Sequence, residues 1–219
     1  MPDVPKPDVL NRLRSLRIVP VLVIDDAGDA EPLAQALIHG GLPIAEVTFR
    51  TPAAAESLRR ITASLPDMLA GAGTVLTTEQ AARARTAGAR FIVAPGFNPA
   101  VVDYCLEHEL PVYPGVATPT EIEAALQKGL DTLKFFPAEP MGGLPFLKAI
   151  AAPYSSVNFI PTGGINLTNV FEYLSFPRVV ACGGSWMAPA EWVRAQQFDR
   201  VRQETERAVR ATRQLAGVG

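Results

Sequence analysis

Lys134 lies in the run Leu133-Lys134-Phe135-Phe136-Pro137-Ala138-Glu139, a single amine among bulky apolar neighbours. The chain has only four lysines against sixteen arginines, so the residue stands out. An ammonium in such surroundings is poorly solvated, which favours the neutral amine. A neutral amine is a nucleophile suited to Schiff-base formation with a carbonyl. If Lys134 points into a pocket, the chain is an enzyme acting on a keto compound. If it points to water, the run has no such meaning.

A second group is Glu46-Val47-Thr48-Phe49-Arg50-Thr51, which brings a carboxylate and a guanidinium close together. On a regular strand Glu46, Thr48 and Arg50 share one side. Two readings are open. Glu46 and Arg50 can form a structural ion pair, or Glu46 can transfer protons while Arg50 grips a carboxylate with both arms of its fork. Gly71-Ala72-Gly73-Thr74 is either a tight turn or a place where a ligand nears the backbone and the Thr74 hydroxyl donates to it. Ala94-Pro95-Gly96-Phe97 and Pro114-Gly115-Val116-Ala117-Thr118-Pro119 read as strand-to-helix turns, with Pro95 and Phe97 available to wall an apolar pocket. Pro161-Thr162-Gly163-Gly164-Ile165 and Gly183-Gly184-Ser185-Trp186 carry paired glycines, and Ser185 adds a hydroxyl. Backbone N–H groups exposed by such loops bind phosphate.

Other reactive side chains read as structural. His39 and His108 fall within predicted helices and join no metal pair or nucleophile–base arrangement. Trp186 and Trp192 are packing residues, Asp25-Asp26 is an acidic surface turn, and Met141 carries no signal.

These residues need a scaffold, and the hydrophobic pattern supplies one. Predicted strands are Ile18–Ile24, Ile44–Thr48, Leu69–Gly73, Phe91–Val93, Val112–Tyr113, Thr132–Phe135, Phe159–Pro161 and Val179–Cys182. Their starts recur at roughly the length of one compact βα unit. Between them, Glu31–His39, Ala53–Ser64, Thr78–Ala87 and Pro119–Gln127 have helical periodicity. Thr78 with Glu79 and Thr120 with Glu121 read as helix openings, and Gly40-Gly41, Gly88 and Gly129 as helix ends. Eight such units predict a (β/α)8 TIM barrel occupying residues 1–219 as one domain, with a leading helix over Val9–Arg17 and a C-terminal helical extension from Pro189 to Leu215. An open doubly wound sheet is the rival, weakened because no Gly-x-Gly-x-x-Gly turn follows the first strand. In a barrel the motifs above fall at the C-terminal strand ends, where barrel active sites lie.

The 219 residues, 48% apolar, are ample for a folded core. A net charge of −2 gives no electrostatic reason for nucleic acid or an anionic membrane as partner. The stretch Met1–Lys6 lacks a signal-peptide core, and Ile18–Ile24 is too short to span a bilayer. Cys105 and Cys182 are too few for a disulfide framework and lack metal-ligand spacing, so a cytoplasmic protein is expected.

Taken in order, Glu46-Val47-Thr48-x-Arg50-Thr51, Gly71-Ala72-Gly73-Thr74-Val75-Leu76, Pro114-Gly115-Val116-Ala117-Thr118, Leu133–Glu139, Pro161–Ile165 and Gly183–Trp186 closely resemble the 2-keto-3-deoxy-6-phosphogluconate aldolases. The similarity runs from about Ile18 to Ala190, and its most specific block is the one around the lysine. The resemblance implies a class I aldolase of the Entner–Doudoroff pathway that needs no metal or other cofactor. Lys134 would form the Schiff base and Glu46 would serve as general acid/base. Arg50 and Thr74 would hold the pyruvate carboxylate, and Pro95 and Phe136 would line the keto-acid pocket. Thr162, Gly163, Gly164 and Ser185 would hold the phosphate of a small keto-acid sugar phosphate. The resemblance also implies a homotrimer and activity on 4-hydroxy-2-oxoglutarate. Ala94 and Ala117 depart from the serines common in relatives. The alternatives are an aldolase for the galactonate epimer, one for unphosphorylated 4-hydroxy-2-oxoglutarate, and a non-catalytic sugar-phosphate-binding barrel.

Overall fold

A computed structural model describes residues 9–216 of the chain, so the Met1–Lys6 reading lies outside the described residues. The elements run α1 (Val9–Leu16), β1 (Ile18–Leu22), α2 (Ala30–His39), β2 (Ile44–Thr48), α3 (Ala54–Ser64), β3 (Leu69–Gly73), α4 (Thr78–Thr86), β4 (Ile92–Val93), α5 (Pro99–Glu107), β5 (Val112–Tyr113), β6 (Gly115–Val116), α6 (Pro119–Gln127), β7 (Thr132–Phe135), α7 (Gly143–Ala151), β8 (Asn158–Pro161), α8 (Val170–Leu174), β9 (Cys182–Gly184), α9 (Ala190–Arg194) and α10 (Phe198–Ala216). Among the described residues, no helix is long and apolar enough to cross a membrane.

The fold is α/β, with a curled sheet in which every strand pairing is parallel. One sheet has the order β5-β4-β3-β2-β1-β9 and another the order β6-β7-β8. The curl shows in β1, the first strand, which pairs with both β2 and the last strand, β9. Single bridges from Phe159 to Val179 and from Thr162 to Gly183 tie β8 to the β9 edge. All residues of β1, β2 and β3 are buried, as in a parallel sheet covered on both faces. That burial explains their continuous apolar runs.

Several boundaries differ from the sequence expectation. The first strand ends at Leu22 rather than Ile24, because side chains take its last carbonyls. Thr48 Oγ1 donates to Leu22 O at 2.7 Å and Thr51 Oγ1 to Ile24 O at 2.5 Å. The fifth strand does not stop at Tyr113. Pro114 interrupts it and Gly115–Val116 resumes beside Lys134–Phe135. Proline has no N–H to donate, yet its carbonyl still accepts from Lys134 N at 3.0 Å. The last strand is Cys182–Gly184 rather than Val179–Cys182, since the ladder to β1 begins only at Ile18 and Cys182. The helix openings also shift. Thr77, not Thr78, caps α4, and Thr118, not Thr120, caps α6 in a reciprocal capping box with Glu121. The C-terminal extension is two helices, divided near Gln196, whose φ is 52°.

Candidate active site

Lys134 occupies the third position of β7 and Glu46 the third of β2, strands that lie in different sheets. Their side chains nevertheless meet, with Nζ 3.6 Å from Oε1. Both residues are almost wholly buried, at 4% and 3% exposure. The sequence suggested an amine alone among apolar groups. The fold places Phe136 beside it, the ring centroid 5.0 Å from Nζ, and adds a carboxylate from a distant strand. Oε1 of Glu46 has no hydrogen-bond partner among the described residues, which leaves it available to exchange protons with a bound molecule.

Glu46 fits because of Gly73. A Cβ at Gly73 would stand 2.0 Å from Glu46 Oε1. The small residues ending β3 had suggested room for a ligand; the room at Gly73 is filled by a carboxylate of the protein itself. The next residue, Thr74, has φ of 57°. A β-branched residue in the left-handed region is sterically disfavoured, and such strain concentrates at functional sites.

The ion pair between Glu46 and Arg50, left open by the sequence, is not formed. Arg50 lies just past β2, exposed, with Nε donating to Thr48 Oγ1 at 3.4 Å. Its guanidinium is thus tethered to the strand end and has no carboxylate partner among the described residues. Pro95 is half-buried, and its carbonyl lies where a Cβ on Gly115 would come within 2.1 Å. That close approach joins the ends of the fourth and fifth predicted strands.

At the other end of the site, Thr162 is buried and its hydroxyl fills the space that a Cβ on Gly183 would need, 2.3 Å away. Gly163 and Gly164 follow with φ of 105° and 80°, values that only glycine adopts freely. The chain after Lys134 braces them, with Ala138 N donating to Thr162 O at 2.8 Å and Glu139 N to Gly163 O at 3.0 Å. Ser185 is exposed after β9, next to Trp186, whose ring covers Gly184 and whose buried Nε1 has no acceptor among the described residues.

Two features escaped the sequence reading: the packing of Gly73 against Glu46, and a bond from Tyr173 to Glu139. Gly73 gave a signal, since its motif was noted, but the carboxylate it accommodates is distant in sequence. The set-aside residues behave as expected. His108 shares Nδ1 with the Tyr104 carbonyl at 2.8 Å and stacks on the Tyr104 ring. Asp25 pairs with Arg194, and Asp26 caps a short turn.

A buried amine opposed by a carboxylate can form an imine and move protons to and from it. Loops of left-handed glycines beside it can present N–H groups to an anion. Comparison with known proteins agrees with this chemistry. The family model for KDPG and KHG aldolase matches residues 9–204. The 2-dehydro-3-deoxy-phosphogluconate aldolase of Treponema pallidum is 52% identical over 193 residues, covering 88% of this chain and 92% of that protein. A KDPG aldolase from Legionella pneumophila, solved with pyruvate captured as a covalent carbinolamine, is 40% identical with a TM-score of 0.88, covering 92% of this chain and 98% of that one. The Zymomonas mobilis aldolase solved with 3-phosphoglycerate is 39% identical with a TM-score of 0.80, covering 90% and 96%. The chain belongs to the KDPG and KHG aldolase family.

Proposed function

We propose that the chain is a class I aldolase that reversibly cleaves 2-keto-3-deoxy-6-phosphogluconate to pyruvate and D-glyceraldehyde 3-phosphate. The observation that carries this reading is the buried contact between Lys134 and Glu46. Lys134 Nζ attacks the C2 carbonyl to give a carbinolamine, and loss of water leaves a protonated imine. Glu46 takes the proton of the C4 hydroxyl. The C3–C4 electron pair flows into the iminium, forming an enamine and releasing glyceraldehyde 3-phosphate. Protonation at C3 and hydrolysis of the imine then free pyruvate and Lys134. The pyruvate carbinolamine in the Legionella structure supports the first step.

In this reading Arg50 and Thr74 hold the keto-acid carboxylate, and Pro95 and Phe136 line the pocket around it. Thr162, Gly163, Gly164 and Ser185 hold the phosphoryl group. The left-handed glycines support that assignment, as does the 3-phosphoglycerate in the Zymomonas structure. The same reading makes the two sheets one closed (β/α)8 barrel within a single domain. Nine strands become eight staves when β5 and β6, separated only by Pro114, count as one. The meeting of Glu46 and Lys134 across the interior supports that closure. A cytoplasmic location fits Cys105 and Cys182, both buried and unpaired. Homotrimeric assembly rests on the family resemblance, and light scattering in solution tests it.

The test of function is pyruvate release followed with lactate dehydrogenase. The panel comprises 2-keto-3-deoxy-6-phosphogluconate, its galactonate epimer and 4-hydroxy-2-oxoglutarate. The reading requires the phosphorylated gluconate to have the highest kcat/KM. Preference for the epimer would reassign the substrate, and release from none would refute the aldolase.

A further inference from the structure

Glu139 closes the Lys134 block of the sequence but makes no hydrogen bond or ion pair with Lys134 or Glu46. Its carboxylate accepts a 2.5 Å hydrogen bond from the hydroxyl of Tyr173, on α8. Tyr173 is 1% exposed, and burial first, then the Glu139 carboxylate, raises the phenol's ionisation well above its usual range. The hydroxyl therefore remains a donor. Glu139 is exposed, and this bond holds its carboxylate.

The surroundings give that bond a consequence. Glu139 N donates to Gly163 O at 3.0 Å, and the side-chain stem lies where a Cβ on Gly164 would come within 2.6 Å of its own Cβ. From the other side, Asn169 Nδ2 donates to Gly164 O at 3.0 Å and Asn166 Nδ2 to the same oxygen at 3.3 Å. Gly163 and Gly164 are thus held between Glu139 and two asparagines. The imine end has a support of its own, through Lys134 N to Pro114 O at 3.0 Å.

We propose that Glu139 and Tyr173 are a positioning pair for the phosphoryl end of the substrate: the bond clamps Glu139 onto the Gly163-Gly164 loop and sets the direction of its peptide groups. The inference rests on the aldolase reading and refines it. Neither residue is catalytic. Without the bond, the loop keeps its asparagine anchors and the Glu139 N–H, but the Glu139 stem packed against Gly164 is no longer held, and phosphoryl recognition weakens while imine formation does not.

The test compares two readouts in wild type, Tyr173→Phe, Glu139→Ala and Glu139→Gln. The first is steady-state cleavage of 2-keto-3-deoxy-6-phosphogluconate. The second is the pyruvate concentration for half-maximal trapping by borohydride, which involves no phosphate. Loss of a hydrogen bond to a charged group predicts a KM raised roughly tenfold in Tyr173→Phe and Glu139→Ala. The predicted kcat and pyruvate half-saturation stay at the wild-type values. Glu139→Gln keeps the stem and an acceptor and restores most of the KM. The proposal is overturned if KM is unchanged in Glu139→Ala, or if pyruvate half-saturation shifts as far as KM. Glu139 is exposed, so Glu139→Ala remains informative should Tyr173→Phe not fold. Failure of the wild type to form any pyruvate adduct overturns the aldolase reading itself, and this refinement with it.

Discussion

The two ends of the site are built on different plans. At the proposed imine end, Glu46 and Lys134 project from the middle of β2 and β7 and are buried to within a few per cent. Their positions follow from strand register, and the surrounding core resists displacement. At the proposed phosphoryl end, the groups offered to an anion are backbone N–H groups of left-handed Gly163 and Gly164, in the loop after β8, with the exposed Ser185 in a separate loop after β9. Their direction depends on supports outside the loop, Glu139 and Asn169 among them. In the proposed reading the chemical step draws on the rigid strands, and discrimination of the leaving fragment on a braced loop. Changes in the first region should alter kcat, and changes in the second should alter KM.

The largest effect should come from Lys134→Met. Losing the covalent nucleophile should cut turnover by about 10³-fold or more, as for nucleophiles elsewhere, while the melting temperature stays high enough for a folded protein to be assayed. Residual turnover near wild type would break the comparison at its centre. Glu46→Gln keeps size and loses the charge, and turnover should fall by roughly 10²–10⁴-fold with KM little altered. Single-turnover measurements with and without the substitution check this, and an unchanged rate would remove Glu46 from proton transfer.

Gly73→Ala sharpens the contrast, because the residue makes no chemistry of its own. Its Cβ would collide with Glu46 Oε1 at 2.0 Å, and the carboxylate must move. A displacement of that order costs about 10²-fold in rate, and overpacking costs about 1–3 kcal/mol of stability. Wild-type kcat in a folded Gly73→Ala protein would show that the Glu46 position is not critical. Arg50→Lys loses the planar fork and should raise the inhibition constant for pyruvate roughly tenfold, measured by competition against cleavage. Smallest of all, Thr118→Ala removes the α6 capping box at a cost of about 1 kcal/mol. That should lower Tm by roughly 2–4 °C and leave kcat and KM alone, as befits a residue outside both regions.

The residues of the imine end were legible in the sequence because strands announce themselves by apolar runs, and a lysine or glutamate inside such a run is conspicuous. Their partnership was not legible. Glu46 had a guanidinium four residues away, whereas the contact it makes is with Lys134, which only folding brings near. Local signals misplaced what depends on one hydrogen bond, such as the α4 and α6 caps, where adjacent threonines compete and the backbone decides. Pro114 hid the continuation of the fifth strand, since a proline reads as a stop even where its carbonyl keeps the ladder. The glycine loops were visible as motifs. Their supports were not, because the bond from Tyr173 to Glu139 joins α8 to the turn after β7, a proximity that no periodicity encodes.

The most direct test of the central claim is intact-protein and peptide mass spectrometry after incubation with pyruvate and borohydride. The account predicts one reduced pyruvate adduct per chain, located on Lys134 and absent from Lys134→Met. No adduct on folded wild type, or an adduct on Lys128 or Lys148 instead, would contradict it.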